Sequence, residues 1–176
     1  IAPDTRPALD DALKTALAQH PAIVLLTGGV SVGDYDLVPA ALADAGVERV
    51  FHGVNVQPGK PLWFGVRGTT LVFGLPGNPV SALVNAALFV RPAVAQLLGR
   101  SAPAACAATL EAPLGRGTWR RKYVPVLVRN VGGVRLAAAV PFQGSGDLFG
   151  FSRANALAIV PEEAPARVAG DPVTCV

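Results

Sequence analysis

The chain of 176 residues contains no methionine, two cysteines, two histidines and two tryptophans, and only 6% of its residues are aromatic. Charge is scarce as well, at 15% of residues, against about 25% in an average domain. Each shortage excludes something. Cys106 and Cys175 stand in no metal-binding or redox spacing. They leave a single bridge open, but they exclude a disulfide-dense secreted scaffold and fit a reducing cytoplasm. His20 and His52 have no Cys, His or carboxylate at metal spacing, so both read as structural. The longest apolar runs, such as 22–26 and 136–140, fall far short of the roughly 18 residues of a spanning helix, which argues against a membrane span. Pro3, Asp4 and Arg6 interrupt the opening, so it does not read as a signal peptide. The 15 Lys and Arg barely exceed the 12 Asp and Glu, and apart from Arg120-Arg121-Lys122 they are scattered. Nucleic acid is therefore not an expected partner. Without any Met, and with Ile1 at its start, the sequence is expected to belong to a longer protein.

What is present points to a globular α/β chain. Hydrophobic residues make up 51%, which excludes a disordered chain. With so little charge, much of the surface is either small and neutral or covered by a partner. Leu9, Leu13, Ala16 and Leu17 lie at helical spacing within 8–20, and Pro21 ends that helix. Residues 22–26 (AIVLL) read as a strand buried on both faces of a parallel sheet. A helix is expected over 37–45 with Gly46 as its stop, and a strand over 47–56. Residues 62–66 and 70–74 flank Arg67-Gly68-Thr69 as a hairpin, and a long apolar helix follows from Pro79 until Gly99. Near residue 100 the pattern changes to short strands, at 106–112, 121–130, 133–140, 155–160 and 172–176. Asn130 with Gly132-Gly133 marks a hairpin turn there. The expected division is an α/β part over 1–99 and a small all-β part over 100–176.

Three loops at strand ends carry the candidate chemistry. Thr27-Gly28-Gly29-Val30-Ser31-Val32-Gly33-Asp34-Tyr35-Asp36 lies between a strand and a helix. Gly28, Gly29 and Gly33 let the backbone turn its N–H groups toward an anion, and the next helix adds its positive end. Asp34 and Asp36 beside such an anion imply a bridging Mg²⁺ with oxygen ligands. The same residues also suit a tight turn capped by an aspartate, and the segment alone does not separate these readings. In Gln57-Pro58-Gly59-Lys60-Pro61, two prolines hold one lysine in a rigid loop suited to an oxyanion. Alone, it reads more readily as a solvated turn lysine. In Gly74-Leu75-Pro76-Gly77-Asn78-Pro79-Val80-Ser81, Asn78 and Pro79 start a helix, and Ser81 falls in its first turn. Three such loops in succession point to a ligand rather than to capping alone. No nucleophile elbow, Walker loop or dinucleotide fingerprint is present.

Taken in order, TGGVSVGDYD, QPGKPLWFG and GLPGNPVSALV, then RRKY, GSGDL and RANALAIVPE, resemble the molybdopterin molybdenumtransferase family, the MoeA and gephyrin E-domain group. The resemblance covers essentially the whole chain. It implies part of a three-layer molybdopterin-binding α/β fold followed by a barrel-like β domain, with further domains and the fold's first strand lying upstream. It implies a transferase of molybdenum cofactor biosynthesis, inserting molybdate into adenylylated molybdopterin (molybdopterin-AMP) with release of AMP and with help from Mg²⁺. It further implies a cytoplasmic homodimer, and a fragment that is inactive alone. Residue by residue, it places Asp36 and Asp4 as essential acids and metal ligands. Lys60, Pro61 and Ser81 fall at the molybdate site, Pro76 and Pro79 in a rigid proline loop, and Arg120 and Ser145 on the β-domain side of the oxyanion site. Gly28, Gly29, Ser31, Gly33, Asp34, Pro58, Gly59, Gly77 and Asn78 fill the substrate-binding loops around them. Gln57, Gly53 and Pro125 depart from positions that are often basic in the family.

Two other functions compete. One is the related molybdopterin adenylyltransferase, which shares the glycine loop but lacks the attached β domain. The other is a gephyrin-like scaffold that binds receptor tails, which the Ala-, Val- and Arg-rich composition disfavours.

Overall fold

The computed structural model describes residues 1–30 and 36–176. Two compact units are present, one of residues 1–54 and 59–78, the other of 55–58 and 79–176. The first is a mixed four-stranded sheet in the order β1 (Ile23–Thr27), β5 (Thr70–Leu75), β4 (Trp63–Arg67), β2 (Glu48–His52). β1 runs parallel to β5, and the other pairings are antiparallel. Two helices, α1 (Arg6–Ala18) and α2 (Leu37–Asp44), supply the core with Leu13 and Leu17, and with Val38, Ala41 and Leu42. These pack with Val24, Val47, Trp63 and Val72 in one buried cluster. Arg6 ties the helices on their outer side, pairing with Asp10 at 2.7 Å and with Asp44. Gly46, at φ +74°, ends α2 as expected. Its N–H bonds to the Ala43 carbonyl and the Val47 N–H to that of Leu42, so the glycine adopts the left-handed turn that lets the last helical carbonyls find donors.

The second unit is a closed barrel of five strands. β7 (Arg121–Val131) pairs with β8 (Val134–Ala139), β8 with β6 (Cys106–Leu110), β6 with β10 (Pro172–Cys175), β10 with β9 (Ala156–Val160), and β9 returns to β7. Small residues fill so narrow a barrel. Ala108, Ala137 and Ala158 alternate with Leu110, Val126, Val160 and Val173 in its core. The Gly132-Gly133 turn, at φ +58° and +84°, forms the expected β7–β8 hairpin. The helix Pro79–Leu97 belongs to this unit, with Val80 and Val84 packed on Leu157, Tyr123, Phe142 and Phe151. The one other helix described here, Leu148–Phe151, has four residues.

The fold class is as expected, an α/β sheet followed by a β-barrel, and four local expectations are corrected. The strand expected over 47–56 is broken at Gly53, whose φ of +93° no strand accommodates; β2 ends at His52, and Val56–Gln57 (β3) pairs with β7 instead. β1 is not buried on both faces. Val24 is buried but Leu25 is 50% exposed, because among the described residues β5 is its only strand neighbour. The long helix is not uniformly α, since residues Ala86–Val90 are wound as a π-helix. Pro92 follows two residues after Val90, and a proline can neither donate to the carbonyl four residues back nor fit against it. Finally, Pro79–Leu97 is long and apolar enough to cross a membrane by length and composition. Counting uninterrupted apolar runs missed it because Ser81, Asn85 and Arg91 divide the stretch; its buried residues instead serve the core of the second unit.

Candidate functional site

In the first unit the candidate chemistry gathers where β1 and β5 end. Thr27 stands opposite Leu75 in the parallel register, so the loops that follow both strands lie side by side. The Gly28 N–H donates to the Leu75 carbonyl at 3.0 Å. Both Gly28 (φ +86°) and Gly29 (φ +64°) are in the left-handed region, which a side chain disfavours. A Cβ on Gly29 would also lie 2.8 Å from Val38 Cγ2, and one on Gly77 would lie 3.5 Å from Gly28 Cα. The glycine loop and the Pro76-Gly77 loop are thus in van der Waals reach, with Pro76 buried beneath.

An open cleft of about 1220 Å³ begins here, and Thr27, Gly28, Gly29, Asp4 and Asp36 line it. The two expected acids come to it from different directions. Asp4 lies just before α1, and Asp36 occupies the N-cap position of α2. Lys60 and Pro61 do not line this cleft. Among the described residues, no group of three or more His, Cys, Asp or Glu could hold a metal. Ser31, Gly33 and Asp34 lie outside the described residues. His52 has a role its isolation in sequence concealed: a ring nitrogen, Nε2, hydrogen-bonds the Val30 carbonyl at 2.8 Å, fixing the chain where it leaves the glycine loop. The partners are 22 residues apart, and no local signal links them.

The proline-bracketed loop divides between the units. In the first, Gly59 is buried and Lys60 exposed. The Lys60 carbonyl accepts from the Val54 and Leu62 N–H groups, each at 2.9 Å, and the Gly53 N–H donates to the Leu62 carbonyl at 2.7 Å. The backbone on either side of Lys60 is therefore closed into a clasp that leaves its ammonium in solvent. In the second unit, Val56 and Gln57 pair in parallel with Arg121 and Lys122, and the Gln57–Pro58 bond is cis. Thr118 Oγ1 donates to Gln57 Oε1 at 3.2 Å, and Asn55 Nδ2 donates to the Trp119 carbonyl at 3.2 Å. The structure thus brings Gln57 and Pro58 to the segment carrying Arg120, a link of some 60 residues that no spacing reveals.

Three neighbouring cations behave differently there. Arg121 pairs with Glu162 at 3.2 Å, and Lys122 Nζ donates to the Arg116 carbonyl at 3.1 Å. The Arg120 guanidinium makes no ion pair or hydrogen bond with the described residues, and its Nε is buried. It lies instead on the Trp119 ring, with Cζ 4.0 Å from the centroid. An arginine engaged only through a ring face keeps its N–H fork available for an oxyanion. Trp119 itself, 61% exposed, carries no motif and was missed from sequence.

Within the same unit the Val80 N–H donates to the Ser145 carbonyl at 3.1 Å, which brings the first turn of the long helix, with Pro79 and the 5% exposed Ser81, against the Ser145 loop. Asp147 organises that loop. Its carboxylate accepts the Gly150 N–H at 2.8 Å and the Gln143 N–H at 2.9 Å. These two bonds, Gly150 first, hold its pKa below the ordinary carboxylate value. Of the departing positions, Pro125 is fully buried in β7 opposite Leu157, so no side chain there reaches solvent.

Comparison with known proteins bears on the family and the fold. A family model described as a probable molybdopterin binding domain matches residues 1–96, and one described as the MoeA C-terminal region (domain IV) matches residues 107–176. The chain is similar to a molybdopterin molybdenumtransferase of Haemophilus influenzae, at 32% identity over 181 residues, covering 99% of this chain and 44% of that protein. It is similar to one of Nostoc sp. at 33% identity over 168 residues, covering 92% of this chain and 38% of that protein. The crystal structure of a molybdopterin biosynthesis MoeA protein from Pyrococcus horikosii superposes with a TM-score of 0.79 at 30% identity, over 99% of this chain and 41% of that one. The chain spans less than half the length of each of these proteins. With one family model covering more than half of the sequence and the other following it in order, the chain belongs to the molybdopterin-binding domain family, in its MoeA branch.

Proposed function

We propose that this chain is part of a molybdopterin molybdenumtransferase, which inserts molybdate into adenylylated molybdopterin and releases AMP. The observation that carries the reading is the convergence of Gly28, Gly29, Asp4 and Asp36 on one cleft of the α/β unit, in a chain that continues into the MoeA C-terminal region. Backbone N–H groups at a glycine turn beside a helix start suit a phosphate; the Gly28 N–H is taken by the Leu75 carbonyl, and the Gly29 N–H is assigned to the phosphate. Ser31, Gly33 and Asp34 extend that loop in the proposal. Mg²⁺ is commonly bound by one or two carboxylates together with substrate phosphates, and Asp4 and Asp36 on one cleft form such a pair. Bound there, it would offset the charge of the pyrophosphate being split.

Each unit carries donors suited to molybdate oxygens: Lys60 in the first, and Ser81, Ser145 and Arg120 in the second. Pro58, Gly59, Pro61, Pro76, Gly77, Asn78 and Pro79 hold these loops in shape. In this reading residues 1–99 are the later part of the molybdopterin-binding domain and 100–176 the C-terminal β domain, and the enzyme works as a cytoplasmic homodimer. The C-terminal region at 107–176 favours this step over adenylyl transfer.

The test is Asp36→Asn in the enzyme that contains this chain. Asparagine still caps a helix but lacks the charge to hold a hard cation. Removing one electrostatic stabiliser costs roughly 10²–10³ in rate, so molybdate-dependent AMP release should fall by about that factor with the circular dichroism spectrum unchanged. Lys60→Ala should instead raise the molybdate concentration required. An Asp36→Asn enzyme with the wild-type rate at saturating Mg²⁺ would leave Asp36 a helix cap and defeat the assignment.

A further inference from the structure

We propose that Cys106 and Cys175 form a reversible thiol–disulfide exchange site, which takes a low-molecular-weight disulfide such as oxidised glutathione and staples β6 to β10. The function proposed above uses neither residue, and the two readings stand independently. In sequence the cysteines are far apart and without motif. In the barrel they are exact cross-strand partners: β10 pairs antiparallel with β6, and the register sets Cys175 opposite Cys106. Directly opposed residues of an antiparallel pair have Cα atoms about 4.5–5.5 Å apart, inside the roughly 4.4–6.8 Å that a disulfide spans. Facing residues also share one side of the sheet. Cys175 is fully buried in the barrel core and Cys106 packs against that same core, so both thiols point inward together. Both are free.

The difference in exposure sets the order of the chemistry. Cys106, half-buried, meets the oxidant first. Its thiolate attacks one sulfur of oxidised glutathione, forming a mixed disulfide and releasing one glutathione thiolate, which takes up the proton. The Cys175 thiol, losing its proton, then attacks the Cys106 sulfur and displaces the second glutathione. The cysteines are oxidised by two electrons, one glutathione disulfide is reduced to two thiols, and reduced glutathione reverses both steps. Burial, and then the nearby Cys106 thiol, push the Cys175 pKa up, consistent with its acting second. The product has a mechanical meaning. β10 is held to β6 through four register pairs but to β9 through one, at Cys175 itself, with reciprocal backbone bonds between Leu157 and Val176. A covalent link at Cys175 anchors the residue at which the barrel closes.

The experiment equilibrates the chain in oxidised and reduced glutathione and follows intact mass, thiol titration after denaturation, and thermal unfolding. The expected product is a monomer lighter by two hydrogens, with no titratable thiol, a peptide linking Cys106 to Cys175, and a melting temperature raised by about 10 °C. Reduction should restore the starting values. Cys175→Ala should stop at a stable glutathione adduct on Cys106. Cys106→Ser, at a half-buried position that preserves the core, should neither lose hydrogens nor gain stability. Oxidation of the wild type that ends in a glutathione adduct, in a dimer between chains, or in two unreacted thiols would overturn the proposal.

Discussion

Replacing Gly117 with alanine tests whether the approach to Arg120 is held as the barrel packing requires. Gly117 is buried at ordinary φ, yet a Cβ there would lie 2.4 Å from the Pro161 carbonyl oxygen and 2.7 Å from the Ala164 nitrogen. Both are backbone atoms, which cannot swing aside as a side chain would. Relief to the 3.0–3.4 Å of a tight contact moves the oxygen by 0.6–1.0 Å. That shift acts on the hydrogen bonds flanking the contact, from the Gly117 N–H to the Ala164 carbonyl and from the Glu163 N–H to the Thr118 carbonyl, both 2.9 Å. Overpacking costs about 1–3 kcal/mol and each weakened bond up to about 1 kcal/mol, so a loss of about 2–4 kcal/mol is expected. For a unit of this size that lowers the melting temperature by roughly 10–20 °C. Gly115→Ala supplies the control two residues away, where an added Cβ meets nothing within 4 Å. It should be neutral, or more stable by up to about 1 kcal/mol because the unfolded chain loses freedom. Urea and thermal unfolding of the two variants decide the matter. Equal stability of both, or a Gly117→Ala loss under about 0.5 kcal/mol, would refute the reasoning.

Other predictions concern single residues. The Asp147 carboxyl titrates below its ordinary range in the fold, so the bonds it accepts stabilise the loop at neutral pH and are lost as pH falls through that lowered range. Amide exchange at Gly150 and Gln143 should accelerate on acidification, and in Asp147→Asn it should lack this added pH dependence. Trp119→Ala should weaken molybdate binding by about two- to fivefold, the worth of an exposed cation–π contact of about 0.5–1 kcal/mol, with Trp119→Phe restoring most of it in a calorimetric titration. Val84→Ala should destabilise by about 2 kcal/mol because the side chain is fully buried. Leu83→Ala, on the exposed side of the same helix, should fall within about 0.5 kcal/mol in urea unfolding.

How far the molecule could be read from its sequence depended on the range of the determining interaction. The hairpin around Gly68 and the end of α2 at Gly46 follow from turn chemistry within a few residues, and both are where spacing placed them. The break at Gly53 was also local in cause, but a run of valines and a phenylalanine outweighed one glycine in the pattern. Exposure of Leu25 was not legible, since an edge strand and a central strand have the same apolar sequence and differ only in their neighbours. The same holds at the candidate site. Gly28, Gly29 and Asp36 belong to one contiguous motif, whereas the placing of Gln57 beside Thr118, His52 beneath Val30 and Trp119 under Arg120 depends on tertiary pairing or on rotamer choice. What distinguishes Arg121 from Arg120 is likewise distant in sequence, an ion pair with Glu162, 41 residues away.

The two margins of the α/β sheet differ in a way that bears on handling the protein. β2 carries Glu48 and Arg49 at its start and an irregular register between Arg49 and Phe51, devices that discourage a foreign strand from docking. β1 reads Ile-Val-Leu-Leu-Thr, without charge, proline or bulge, and Leu25 faces outward from it. Short apolar segments of this kind at a sheet margin are nuclei for cross-β aggregation. The barrel adds no comparable liability, because closure leaves its five strands without a margin. β1 is therefore one apolar margin of the isolated chain, and Leu25→Lys, a gatekeeper substitution beside the buried Val24, should raise its solubility as measured by sedimentation.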